Sequence, residues 1–278
     1  DTTPTYRWTH VNGVTNYVLQ VLKEYSATAI YTITVPAKSA CYYNVCSYTP
    51  TPKLGRYGYR WHVKVSNTSN WSPLMTFYVR GVNFASHFTY NMMYTWKKKS
   101  GGDWYTIYSP PGVVGYLASN GLPNKCTATV QSLSSAYDNF EAETRMKITG
   151  APSAGKYPEA YMALRMKNSV NAATQCWYGG YLFGYSRDGK YSYWKMQPNG
   201  TWTPLISPKY SSLVNTIGWN NFKVTAIGNK FNLYINKKYI GTVTDSTYPI
   251  GYVGLEMVNH GSNPTKFYAD WFTVKMLP

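Results

Sequence analysis

The sequence predicts an all-β protein, and three observations carry that reading. Aromatic residues make up 17% of the 278, with 29 Tyr and 10 Trp, while charged residues reach only 14%. Aromatic and β-branched side chains at low charge density fit pleated sheets better than helices. No window of twelve or more residues carries the apolar stripe of an amphipathic helix. Short alternating segments recur instead, separated by turn signals such as "SGGDW", "SRDGKY" and "QPNGTW".

The length suits two domains, each able to bury a core, and the expected division is 1–82 and 83–278. In the first, "NYVLQV" turns Tyr17, Leu19 and Val21 inward. "RYGYRWHVKV" turns Tyr57, Tyr59, Trp61, Val63 and Val65 one way and Gly58, Arg60, His62 and Lys64 the other. Such alternation marks a sandwich strand with one wet face. "NWSPLMTFYV" supplies a closing strand. Together with "YRWTHVNGVTNYVLQV" and the "KLGRYGY" corner, these segments resemble the bacterial fibronectin type III-like pattern over most of residues 5–80. The resemblance implies a seven-stranded sandwich, a fold that presents or spaces other domains and by itself carries little functional information.

The second domain yields its strands in the order "YDNFEAETRMKI", "YLFGYSRDGKYSYWKM", "IGWNNFKVTAIGNKFNLYINKKYIGTVTD", "IGYVGLEM" and "KFYADWFTVKML". The hairpin within the third is the clearest: Phe231, Leu233 and Ile235 alternate with Asn232, Tyr234 and Asn236. These segments resemble the concanavalin A-like jelly rolls of the laminin G and 3-keto-disaccharide hydrolase type. Where such relatives place Asn-Gly, this chain has Asn236-Lys237-Lys238, which implies a slightly longer turn. The fold expected is therefore all-β: a fibronectin type III-like sandwich followed by a concanavalin A-like jelly roll.

Four cysteines with no CxxC spacing and no neighbouring His favour disulfides over zinc. The pairing that keeps each bridge within one domain is Cys41–Cys46 and Cys126–Cys176, with four free thiols as the alternative. Oxidised cysteines place the protein outside the cytoplasm. The start at Asp1, without methionine, is what a processed, exported chain would show. No run of eighteen apolar residues is present, so no transmembrane segment is expected. Asn67, Asn70 and Asn199 begin Asn-x-Ser/Thr sequons.

The formal net charge is +16, of which residues 1–82 carry +6 and the remainder +10, a spread field with no basic tail. "TWKKKSGGDWY", with Lys97, Lys98 and Lys99 between Trp96 and Trp104, is the densest basic stretch. A solvated hairpin tip accounts for it, so nucleic acid is not the expected partner, and an acidic polysaccharide or anionic surface fits the charge better. His10, His62, His87 and His260 have no metal-ligand spacing, and no nucleophile elbow or phosphate-binding Gly loop occurs. No cofactor and no metal are expected. Calcium, which the jelly-roll resemblance would allow, has no ligand-rich loop to motivate it.

A glycosidase needs two carboxyls facing across the scissile bond. The Glu-x-Asp-x-x-Glu strand of the laminarinase-type relatives is missing, and the nearest approach is Glu141 and Glu143, two apart on one wet face. Asp138, Asp188, Asp245 and Asp270 read as turn or strand-end caps. No catalytic residue is therefore assigned. Aromatic side chains are the candidates for stacking on sugar or on another protein: Trp177, Tyr178 and Trp202 at strand ends, Trp104 beside the lysine run and Tyr234 on the wet face of the hairpin. The leading expectation is a secreted, non-catalytic structural or adhesive protein of the cell surface or matrix, self-associating through aromatic faces. The alternatives are a monomeric carbohydrate-binding protein and, third, a glycoside hydrolase.

Overall fold

The computed structural model describes residues 2–278 apart from 25, 56, 80–82, 89–95, 100–103, 110–113, 121, 122, 124 and 154. Positions 100–103 of the "SGGDW" turn and position 82 at the expected boundary thus lie outside the described residues. The chain divides into two compact units, Asp1–Gly81 and Val82–Pro278.

The smaller unit contains β1 (Tyr6–Thr9), β2 (Asn16–Lys23), β3 (Ala29–Pro36), a single helical turn α1 (Ala37–Ala40), β4 (Cys41–Tyr42), β5 (Val45–Tyr48), β6 (Gly58–Val65) and β7 (Met75–Tyr78). Its antiparallel sheets run β3-β2-β6-β7 and β1-β5-β4. The period-two pattern does what it should: Tyr17, Leu19, Val21, Tyr59, Trp61 and Val63 are all buried. Ring contacts join the sheets, Tyr6 lying 5.2 Å from Trp61 and 5.6 Å from Phe77. The Cys41–Cys46 bridge ties β4 to β5.

The larger unit begins with β8 (Phe84–Ser86), β9 (Trp96–Lys98), β10 (Trp104–Ser109), β11 (Val114–Asn120), β12 (Lys125–Tyr137), β13 (Phe140–Gly150), β14 (Glu159–Met166), β15 (Ser169–Val170) and β16 (Trp177–Tyr178). It continues with β17 (Gly180–Ser186), β18 (Lys190–Met196), β19 (Trp202–Tyr210), β20 (Asn220–Ile227), β21 (Lys230–Ile235), β22 (Lys238–Thr244), β23 (Gly251–Asn259) and β24 (Thr265–Met276). One sheet runs β10-β11-β24-β13-β20-β21-β22, with β8 beside β24; the other runs β19-β18-β17-β14-β23-β12-β9. Their inner faces form one core. Phe140, Phe222, Phe231, Leu233, Phe267 and Phe272 come from the first sheet. Met162, Leu164, Tyr181, Phe183, Tyr193 and Leu255 come from the second.

The hairpin of β21 and β22 corrects one expectation. Ile235 pairs with Lys238, so the turn is only two residues long. Asn236 and Lys237 sit at φ 47° and 68°, the left-handed pair of a type I′ turn, without the Gly that usually relieves it. Asn236 compensates with its amide: Nδ2 donates to Leu213 O at 2.7 Å and Asn220 Oδ1 at 3.1 Å, and Oδ1 accepts from Asn221 N at 2.7 Å. Asp270 corrects another. It lies within β24, not at a strand end, and accepts from Arg145 Nη1 at 2.8 Å.

The two sheets differ in what covers them. On the first, β13 and β20 alternate buried with half-buried residues, the signature of one wet face. On the second, β14, β17 and β23 are buried on nearly every residue, so their outer face is covered as well. That cover builds the candidate site.

Candidate functional site

Residues 159, 161 and 163 of β14 point away from the core, because 160, 162 and 164 point into it. Tyr161 pairs across the ladder with Gly184 of β17 on one side and Glu256 of β23 on the other, and Gly184 pairs with Ser192 of β18. Gly184 matters here. A Cβ at that position would stand 2.7 Å from Cδ1 of Tyr161 and closer still to Ala160 O, so only glycine lets the ring cross it. The Tyr161 hydroxyl then reaches Ser192 Oγ at 3.3 Å. Trp194 Nε1, from the same strand, donates to Tyr161 OH at 3.1 Å and Ser192 Oγ at 2.8 Å. Burial, with the Glu159 carboxylate adding to it, holds the Tyr161 phenol well above its usual range. The trio locks the Trp194 indole in place and uses its only donor.

The excursion between β14 and β17 folds back over the sheet. Cys126 of β12 bonds to Cys176, and Cys126 N donates to Thr174 O at 3.0 Å. This tether draws Trp177 down until it is 0% exposed, with Nε1 donating to Lys167 O. Beneath lies Glu256, also fully buried, its carboxylate within 4.8 Å of both bridge sulfurs. Neither Oε1 nor Oε2 has a hydrogen-bond partner. Burial pushes the carboxyl well above the usual carboxylate range; the Trp177 backbone N–H partly offsets the shift without closing a hydrogen bond.

Beside this cover a cavity of about 460 Å³ opens on the outer face. Trp194 and the half-buried Trp202 line it, their rings 5.8 Å apart at 71°. Trp202 also meets Tyr161 edge-on at 6.0 Å. The Cys126–Cys176 bridge, Thr174 and Val258 contribute neutral surface. Polar groups come from Lys125, Lys156, Glu159, Asn259 and His260. Glu159 Oε2 and His260 Nε2 lie 3.1 Å apart. The volume is that of a small-molecule site, and aromatic walls with a few convergent polar groups are the usual lining of one.

Of the residues expected from the sequence, only Trp202 and the Cys126–Cys176 pair line this cavity. Trp177 is corrected: its tether makes it a buried cover for Glu256, with no free face. Tyr178 pairs with Ser169 and is half-buried. Trp104 packs edge-on against Phe267 at 5.6 Å and belongs to the core margin. Tyr234 stands on the wet face of the other sheet, with Lys223 Nζ 4.6 Å above its ring. Glu141 and Glu143 share that opposite sheet, Glu141 accepting from Lys223 at 3.5 Å. Burial, with Glu141 reinforcing it, raises the Glu143 carboxyl, while Lys223 and Lys237 pull it down. The expected pair is therefore not part of the cavity. Lys125, Lys156, Glu159 and Asn259 carry no sequence signal that singles them out; His260 was set aside for want of a metal-ligand spacing, and Trp194 stands in the aromatic-rich stretch 177–202 without having been chosen from it. One signal was available: Trp194 and Trp202 lie on consecutive antiparallel strands about the "QPNG" turn, where Met196 pairs with Trp202.

No family model matches the chain, and no curated protein matches it. Solved structures of similar fold exist. The carbohydrate binding module CBM66 from Bacillus subtilis is 18% identical, with 63% of this chain and 91% of that one covered, at TM-score 0.44. The Bacillus licheniformis beta-glucanase is 15% identical, covering 71% and 99%, at TM-score 0.48. A Bacillus subtilis protein of unknown function with a galectin-like fold is 10% identical, covering 71% and 97%, at TM-score 0.49. The expectation of a non-catalytic structural or adhesive assembly protein is corrected on the chain's own geometry, whose site is a concave cavity of small-molecule size on the larger unit. Within this chain, the aromatic faces on which self-association rested are largely internal, since Trp177, Tyr181, Tyr185, Tyr191 and Tyr193 are buried.

Proposed function

We propose that this chain binds carbohydrate, and that the cavity between Trp194 and Trp202 on the larger unit is where it does so. The observation that carries this is the cavity itself: two indoles at 71° beside two lysines and a carboxylate that lies 3.1 Å from an imidazole nitrogen. A pyranose presents an apolar face that packs on an indole and a ring of hydroxyls that needs polar partners at its edge. Trp194 is held rigid by Tyr161 and Ser192, so its face costs little entropy to offer. Hydrolysis is less well supported. Glu159 is the one carboxylate among the described residues lining the cavity, whereas a two-carboxyl mechanism needs a second in reach. Glu256 is the nearest candidate in the ladder, and the disulfide and Trp177 cover it.

The smaller unit fits a presenting role. Its β2 lies between β3 and β6, with β1 and β5 in the facing sheet, an order that supports the fibronectin type III-like reading. Two disulfides support an oxidising, extracellular location. No helix among the described residues is long and apolar enough to cross a membrane.

The test is retention on a polysaccharide panel by affinity electrophoresis, comparing the native chain with Trp202→Ala. Loss of the aromatic face should weaken binding about tenfold or more. The unfolding temperature should barely move, because Trp202 is half-buried at the start of an edge strand. Unchanged retention by Trp202→Ala would remove the cavity from the reading.

A further inference from the structure

We propose that the saccharide held in this cavity is an acidic one, bearing carboxylates or sulfate esters; the inference rests on the carbohydrate-binding reading above. Two lysines, Lys125 and Lys156, line the cavity together with the imidazole of His260 and one carboxylate, Glu159. They do not form a run. Lys125 opens β12 and pairs across the ladder with Asn259, while His260 follows directly on the end of β23. Lys156 comes from the loop before β14, where Lys156 N donates to Ser153 O at 3.0 Å and Ser153 N donates to Lys156 O at 2.9 Å. Two separate segments therefore bring ammonium groups to one opening and a third brings an imidazole, a different matter from the spread charge of the whole chain.

The single carboxylate is engaged within the lining. Glu159 Oε2 lies 3.1 Å from His260 Nε2, so that oxygen has a partner inside the site. The remaining groups are biased toward donors. Trp194 has given its N–H to Tyr161 and Ser192. Asn259 Nδ2 donates to Asn263 O at 3.3 Å, and its Oδ1 accepts from Gly261 N at 3.3 Å. Each lysine ammonium carries three donors and no acceptor. A neutral hydroxyl both donates and accepts, and gains nothing special from such a lining. A carboxylate or sulfate only accepts, and its hydrogen bonds to ammonium are charge-assisted. Aromatic surface fixes the sugar ring, and the lysines select its acidic substituent.

The experiment titrates the full chain with short uronate and sulfated oligosaccharides: galacturonan, mannuronan, guluronan, glucuronan and chondroitin sulfate. Each is paired with its carboxyl-reduced or desulfated counterpart. At least one acidic member should bind about tenfold tighter than its neutral counterpart. That preference should shrink toward about 0.5 M salt, where contacts at an open rim are screened. Lys156→Gln should reduce the preference several-fold, because it costs the acidic sugar more than its neutral counterpart, with the unfolding temperature unchanged. Neutral counterparts binding as tightly as the acidic ones, or a preference indifferent to Lys156→Gln, would overturn the proposal and leave carbohydrate binding standing. Polyglutamate captured as well as the acidic sugars would assign the effect to diffuse charge and also overturn it. Failure of both the acidic series and neutral polysaccharides would sink the carbohydrate reading together with this one.

Discussion

Replacing Glu256 by Met removes a buried carboxyl that has no hydrogen-bond partner, at nearly constant volume. In the fold this group is held protonated, its affinity for the proton raised well above the ordinary value of 4.5. In the unfolded chain it ionises above that value. The folded state thus binds the extra proton, so stability is greatest below pH 4.5 and falls as pH rises toward the folded value. The loss runs at about 1.4 kcal/mol per pH unit while the buried group stays protonated. For a unit of this size that is roughly 3 to 5 °C of unfolding temperature per pH unit. The assay is calorimetric unfolding of the native chain and Glu256→Met from pH 4 to 7.5 with the disulfides intact. Subtracting one from the other cancels whatever the smaller unit contributes. The variant's advantage should widen steadily with pH. Glu256→Gln should lose the same pH dependence, with a smaller absolute gain because its amide is left unsatisfied. A constant difference across the range would mean that Glu256 is ionised in the fold, and would refute the sealed-carboxyl reading.

Three further outcomes follow from the same geometry. At Asp245, burial alone would raise the carboxyl, but hydrogen bonds from Lys195, Thr247 and Tyr181 outweigh it and hold it down to about 2. Its contribution is therefore present above pH 3.8 and lost as pH falls through about 2; acid unfolding followed by tryptophan fluorescence should show that loss in the native chain and not in Asp245→Asn. In the chain-entropy picture the Cys126–Cys176 bridge, spanning 50 residues, contributes about 4 kcal/mol and Cys41–Cys46, spanning 5, about 2. Denaturant unfolding of the two paired Cys→Ala variants should rank them in that order, and intact mass after alkylation without reduction should find no free thiol. At the β21–β22 turn, Lys237→Gly relieves a left-handed lysine and should raise stability by up to about 1 kcal/mol, while Asn236→Ala, losing three hydrogen bonds, should lower it by more; a denaturant series reads both.

The strands were legible because sandwich strands with one wet face write their period in plain alternation. Tyr17, Leu19 and Val21, or Phe231, Leu233 and Ile235, could be assigned inward without any partner in view, and all six are buried. The turn at Asn236 was less legible. Its length depends on whether one asparagine finds three distant partners to hold a left-handed pair, and Leu213, Asn220 and Asn221 are not announced by local sequence.

The site was harder, for a physical reason that Trp177 and Trp202 display together. Both stand at strand ends in the same aromatic-rich stretch, and local sequence gives them equal claims to a solvent-facing role. What separates them is the disulfide 50 residues long that pulls Cys176, and Trp177 with it, onto the outer face of an already complete sheet. A second layer of cover has no periodic signature, because the strands beneath it are buried on both faces and stop alternating. The same layer decides the chemistry. It seals Glu256 away and leaves Glu159 as the one carboxylate among the described residues at the cavity, beside lysines from two other segments. Had the cover been absent, Glu159 and Glu256 would stand on neighbouring strands of an open face, diagonal to one another across the ladder, in the arrangement from which paired-carboxylate chemistry is built. The bridge that makes the fold firm is thus also what turns this face from a place for two acids toward a place for aromatic and cationic contacts.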